Sequence, residues 1–211
     1  FFYILLMVLL AVGLTNITRP FGAPLLILSF ILFIVFVKVE IHNSNTTFNL
    51  NLFKDFKYVV GNYAAFIAYF ITFISTYILN FHLQYVFGFD SRIAGMILLS
   101  TPLVMVLMSP VSGKLADKYD NRVLAGIAMS ILLFVMLSLC FIELLPLSLL
   151  ILVMIVQGIG HGLFSPPNNR YVLTLVDKDD LGDASSILTS SKEIGKTVSL
   201  STYNVICLII I

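Results

Sequence analysis

The sequence predicts an all-α bundle of membrane-crossing helices. Three observations carry this: 59% of residues are hydrophobic and only 11% charged, the mean hydropathy is +1.04, and the apolar residues fall in continuous runs whose short breaks hold nearly all the charge. A run of about 20 apolar residues spans the hydrocarbon of a bilayer. A soluble domain of 211 residues cannot cover so much apolar surface. Helix is preferred to strand because the runs do not alternate in polarity and exceed the roughly ten residues of a barrel strand. The same composition excludes the globular, disordered and nucleic-acid-binding classes. With a net charge of +1 no basic patch addresses nucleic acid, and the lipid bilayer is the expected partner.

In chain order the runs place helices at 1–14, 21–37, 59–81, 93–111, 123–142, 147–164 and from 186 onward. Opening directly in FFYILLMVLLAVGL and closing on VICLIII, the sequence reads as a fragment cut within its first and last helices. The opening run lacks the basic leader and cleavage site of a signal peptide. Cys140 and Cys207 lie within apolar runs and read as packing residues. The N-x-T sequons at Asn16 and Asn45 read as chance matches, the first against the membrane and the second on a loop expected to be cytoplasmic.

Orientation follows from the basic residues. Alternation puts Lys38, Lys54, Lys57, Lys114, Lys118, Arg122, Arg170, Lys178 and Lys192 on one side and Arg19 and Arg92 on the other, so the rich side, with loops 38–57, 112–122 and 167–185, is expected to be cytoplasmic. The polar stretch IHNSNTTFNLNLFKDFK divides the chain into an opening pair of helices (1–41), a cytoplasmic linker (42–57) and a longer unit (58–211). Its apolar residues Phe48, Leu50, Leu52, Phe53 and Phe56 allow part of it to lie as an interfacial helix.

Between the fourth and fifth runs stands SPVSGKLADKYDNRVLAG. Gly113, Leu115, Ala116, Asp117, Lys118 and Arg122 match the pattern G-x-L-a-D-[RK]-x-G-[RK]-[RK], with Asp120 where glycine is usual and Asn121 where a basic residue is usual. Both substitutes tolerate a left-handed turn. A second stretch, QGIGHGLFSPPNNRYV, carries Gly158, Gly160, Gly162, Phe164 and Pro167 of the pattern G-x-G-x-G-x-F-x-x-P-x-N, with the asparagine pair Asn168 and Asn169 at its end. It is followed by LGDASSILTSSKEIGK, with Gly182, Ala184, Ser185, Lys192 in place of arginine, and Gly195. Together these make the chain resemble the C-terminal portion of the major facilitator superfamily, in particular its fourteen-helix drug exporters of the EmrB/QacA type.

The resemblance implies an MFS-like fold of seven helices here: the extra central pair at 1–41, then the second helical repeat without its last helix. A twelve-helix member is the alternative register. It also implies a plasma-membrane transporter that rocks between inward and outward openings around a midplane site.

Physically, Gly113 permits close helix contact. Asp117 can face a helix N-terminus or pair with Lys118 or Arg122, forming with them a latch made in one conformation and broken in the other; an ordinary basic turn is the plainer reading. Gly158, Gly160 and Gly162 do not share one face, since successive i, i+2 positions point about 200° apart. Pro166 and Pro167 are expected to stop or kink the helix, freeing carbonyls for water, neighbours, Asn168 or Asn169. The plainer reading is a simple helix end.

For a substrate pathway, Phe66, Phe70, Phe73 and Tyr77 recur at helical spacing and form either an apolar wall for hydrophobic or cationic compounds or a packing stripe. Gln84 fits the outer mouth. Gln157 and His161 lie four apart on one face and Asn204 sits inside the last run; polar groups at such depth are costly unless paired. His161 either carries protons or packs as a neutral hydrogen-bonded ring. Lys192 and Lys196 line an inner vestibule or snorkel to the interface. The expected function is secondary transport by alternating access, most concretely proton-coupled efflux of a hydrophobic or cationic small molecule, with an uptake carrier or a channel or assembly subunit as alternatives. No cofactor, metal or enzymatic reaction is expected: Asp179, Asp180 and Asp183 form the single acidic cluster and no nucleophile sits beside a base. No acidic residue occupies the middle of a run, so coupling carboxylates are expected outside this chain.

Overall fold

The computed structural model describes residues 2–16, 19–42 and 50–210. Among them there is no strand, and each predicted run is a helix: α1 (Phe2–Thr15), α2 (Gly22–His42), α3 (Phe56–Phe81), α4 (Ser91–Leu98) continued by α5 (Ser100–Lys118), α6 (Asn121–Leu139), α7 (Leu147–Thr174) and α8 (Leu181–Ile210). Four continuous helical stretches are long and apolar enough to cross a membrane by length and composition: Phe56–Val86, Ser91–Lys118, Asn121–Leu139 and Leu147–Thr174.

Capping explains the starts. Asp55, Asp90 and Asp120 each accept a backbone N–H one turn into their helix, from Lys57 (2.8 Å), Ile93 (2.7 Å) and Arg122 (2.8 Å). Asp120 is therefore an extended N-cap with φ −62° and not the left-handed turn residue expected from the sequence. Among the described residues the left-handed region is occupied by Gly88 alone, φ +71°, where the chain leaves one wide π-turn at His82–Val86 and turns into α4. The α4/α5 interruption has a covalent cause: Pro102 has no N–H to offer the Leu98 carbonyl. Leu99 stays helical, so the two segments form one rod.

The linker expectation falls partly outside the described residues, as does the Asn45 sequon. What is described there is a short 3-10 helix, Leu50–Lys54, with Phe53 exposed, as is Phe56 at the start of α3.

Pairing fixes the direction of each helix. Tyr58 meets Ala184, Asn62 meets Ser191 and Tyr77 meets Tyr203, so α3 and α8 run parallel. Thr101 meets Met154, Ser112 meets Leu163 and Asp117 meets Arg170, so α5 and α7 do too. The start of α3, the α5–α6 turn and the α7–α8 turn therefore share one end of the bundle, and most Lys and Arg residues share it with them. Tyr58, Ala65, Ala68, Leu132, Phe164, Val172 and Leu188 form the core toward that end, and Leu79, Val135, Leu139, Leu150 and Met154 toward the other. Outward faces of α5 and α6 remain apolar and exposed, as at Val106, Leu107, Ile127 and Phe134, which suits a lipid solvent.

Glycine sets the closest approaches. A Cβ on Gly158 would lie 2.6 Å from the Thr101 carbonyl, and one on Gly162 2.8 Å from Met108 Cβ, both on α5. On Gly160 it would meet Leu132 and Ile131 of α6 instead. The three glycines thus serve two opposite faces of α7, as their spacing requires. Gly195 lets α8 lie against α3, where a Cβ would stand 2.5 Å from the Phe66 carbonyl. Gly113, expected to make such a contact, has none of the described residues within 4 Å of its Cβ position; the small residues that meet α7 there are Ser112 and Ala116, both buried.

The prolines do not end α7. The helix continues ten residues beyond the predicted stop, to Thr174. Pro167 removes the N–H that the Leu163 carbonyl would have received, and Ser112 Oγ on α5 donates to that carbonyl at 2.9 Å. The compensating donor is thus a neighbouring helix, while Asn168 Nδ2 reaches the Gly61 carbonyl of α3 at 3.2 Å.

Candidate functional site

A cavity of about 500 Å³ opens between α3, the α4/α5 rod, α7 and α8, lined by Tyr69, Thr72, Phe73, Thr76, Leu98, Thr101, Pro102, Met105, His161 and Lys196. Its floor is a polar knot. Thr72 Oγ1 donates to the Ala68 carbonyl at 2.8 Å and lies 2.8 Å from His161 Nδ1. With the hydroxyl proton committed to Ala68, Nδ1–H of His161 donates to the oxygen, and Nε2 is left as an acceptor. Gln157 Nε2 donates to the Thr72 carbonyl at 2.9 Å; its Oε1 is enclosed with no partner among the described residues. One threonine of α3 thus receives both polar side chains of the α7 stripe, which satisfies groups that hydrocarbon would otherwise penalise.

Above the knot stands Tyr69, edge-on to His161 with ring centroids 4.6 Å apart. Lys192 and Lys196 reach its ring from α8 at 5.7 and 5.3 Å, and Lys196 also lies 5.3 Å from the Phe73 ring. Among the described residues each ammonium has one hydrogen-bond partner: Asn169 Oδ1 for Lys192 at 2.7 Å, Glu193 Oε1 for Lys196 at 2.6 Å. Both lysines therefore turn toward the bundle rather than away from it.

The predicted aromatic wall divides. Phe73 lines this cavity; Phe66 and Phe70 stack with Tyr63 in a row beside it, and Phe66 lines a smaller groove with Asn62 and Ser191. Tyr77 stacks on Tyr203 with centroids 5.5 Å apart. Tyr69, which the i, i+4 count from Phe66 passed over, takes the central place. Asn204 lies apart from the cavity, its Nδ2 donating to the Thr15 carbonyl of α1 at 3.3 Å. Gln84 pairs with Asn80 at 2.8 Å and accepts from Ser91 at the opposite end of the bundle from Asp117.

At the basic end, Asp117 pairs with Arg170 of α7 rather than with Lys118 or Arg122. Arg122 pairs with Asp120 at 3.5 Å and lays its guanidinium 5.7 Å from the Tyr171 ring. Lys118 is the exposed last residue of α5. Arg170 was counted in the sequence only as a topological charge, because nothing local indicates a partner 53 residues away.

Comparison with known proteins sets this geometry in context. The chain is 30% identical over 172 residues to the "Riboflavin transporter RibZ" of Clostridioides difficile, covering 80% of this chain and 37% of that protein. It is 27% identical over 169 residues to the "Multidrug resistance protein Stp" of Mycobacterium tuberculosis (79% and 31%). With the "Multidrug export protein EmrB" of Escherichia coli it shares 29% over 102 residues (48% and 19%). The chain thus spans about a third of the length of the first of these relatives. The Major Facilitator Superfamily matches residues 2–200. With that match laid over an all-helical bundle of membrane-length spans, the chain belongs to the major facilitator superfamily.

Proposed function

We propose that this chain is the C-terminal portion of a secondary active transporter of the plasma membrane that exports a hydrophobic small molecule in exchange for protons, by alternating access. The observation that carries the reading is the cavity between α3, α4/α5, α7 and α8, where aromatic faces border a polar knot at mid-bundle. Likeness to Stp and EmrB, whose names describe multidrug resistance and multidrug export, supports efflux. His161, buried against Thr72 and Tyr69 with the Lys192 and Lys196 ammoniums close by, serves as a neutral hydrogen-bonded packing ring, and the groups that carry the proton are expected outside this chain. The end bearing Asp117 and Arg170 faces the cytoplasm, in keeping with its excess of basic residues. Their ion pair ties α5 to α7 in one conformation and opens in the other. The expectation of a cationic cargo fares less well, because the one fixed charge among the described lining residues is that of Lys196.

Everted membrane vesicles containing the full-length protein test this: an imposed proton gradient, acidic inside, should drive uptake of a neutral hydrophobic dye, and collapsing the gradient should stop it. Uptake indifferent to the gradient removes the proton exchange. Likeness to RibZ, named for riboflavin transport, favours inward transport of an organic solute as the second reading; accumulation in right-side-out vesicles alone would select it.

A further inference from the structure

Resting on the reading of the cavity as the cargo site, we infer that Lys196 makes it selective for planar aromatic compounds carrying a negative charge. Lys196 Nζ sits within 5.3 Å of both the Tyr69 and the Phe73 rings, so a charge lies beside two faces suited to a flat ring. Its side chain is 29% exposed, half the value for its partner Glu193 at 58%, so the ammonium is the more enclosed member of the pair and the carboxylate the more hydrated one. Of three N–H donors, one is taken by Glu193. Among the described residues the remaining two have no partner and can serve a cargo carboxylate.

The fixed charges around the cavity set the sign. The hydroxyl protons of Thr72, Thr76 and Thr101 are committed to backbone carbonyls of Ala68, Thr72 and Met154, so these side chains offer a cargo only acceptor oxygens and the donors to an anion are the lysine ammoniums. No acidic side chain lines the cavity among the described residues. Lys192 adds a second positive charge 5.7 Å from Tyr69. A cationic aromatic entering here meets like charge in a setting that screens poorly, whereas an anionic one gains a charge-assisted hydrogen bond and keeps its ring against Tyr69 or Phe73.

Tritiated naphthoate, naphthylmethanol and naphthylmethylammonium, alike in ring and differing in charge, test this by equilibrium binding to the purified full-length transporter. The wild type should bind the anion roughly tenfold more tightly than the neutral probe and the cation least. Lys196→Gln should bring the anion-to-neutral ratio close to one, Lys196→Arg should retain it, and Glu193→Gln, which removes the competing carboxylate, should raise it. The ratio is insensitive to the amount of folded protein, and Glu193→Gln decides if Lys196→Gln fails to fold. A cation bound as tightly as the anion, or a ratio that neither Lys196→Gln nor Glu193→Gln alters, overturns the inference while leaving the cavity as the cargo site. Failure of all three probes to bind the wild type overturns both.

Discussion

Ser112→Ala tests the claim that a neighbouring helix keeps α7 intact across its prolines. The hydroxyl is 2.9 Å from a carbonyl that Pro167 has deprived of its helical donor, and Ser112 is only 1% exposed. Removing it leaves the Leu163 oxygen without that donor, at a cost of about 1–3 kcal/mol for an enclosed polar group. Interhelical hydrogen bonds in membranes average nearer 0.6 kcal/mol with a ceiling of about 1.7, so a loss of about 1–2 kcal/mol is expected. The decisive comparison is a double-mutant cycle with Pro167→Ala, which restores an N–H four residues beyond Leu163. In that background Ser112→Ala should cost less than half as much. Equilibrium unfolding of the purified full-length protein in mixed detergent micelles measures all four corners. Equal costs in both backgrounds would show that the hydroxyl does not stand in for the missing amide.

Gly158→Val should destabilise by several kcal/mol or prevent folding, since its Cβ would fall 2.6 Å from the Thr101 carbonyl; Gly113→Ala, with open space around it, should change stability by less than about 0.5 kcal/mol in the same unfolding assay. Asp117→Asn should alter stability by no more than about 1 kcal/mol, because both partners of its ion pair are more than half exposed, yet slow turnover in vesicles; a wild-type rate removes the latch. His161→Gln keeps a hydrogen-bonding side chain beside Thr72, so the pH profile of transport should stay as in the wild type; a flattened profile would make His161 a proton carrier.

The spans were legible in the sequence because hydrocarbon imposes a length and because the charges sit where the helices end. So was the division of the three glycines between two faces of α7, a matter of helical angle alone. Other features depend on where helices meet. The 147–164 run read as ending at Phe164 because a proline pair is a local stop signal; continuation to Thr174 depends on Ser112, which is supplied by another helix. Asp117 was legible as the reactive member of its turn, but Arg170 became its partner only because α5 and α7 run parallel. The aromatic stripe of α3 was counted at the right spacing from a starting point that put Tyr69 off the line, and only the packing of α7 and α8 against α3 selects the ring that faces the cavity.

The joints around Thr72 and Gly195 bear on how such a half can move. At the first, two side chains of α7 are tied to one residue of α3; at the second, the backbone of α3 is nested against α8 with no room for a methyl group. Sliding any of these three helices along its neighbour would break the tie or collide with the nest. The trio is thereby constrained to tilt as one plank, so a molecule lodged at its middle shifts both ends at once, like a weight near the pivot of a seesaw.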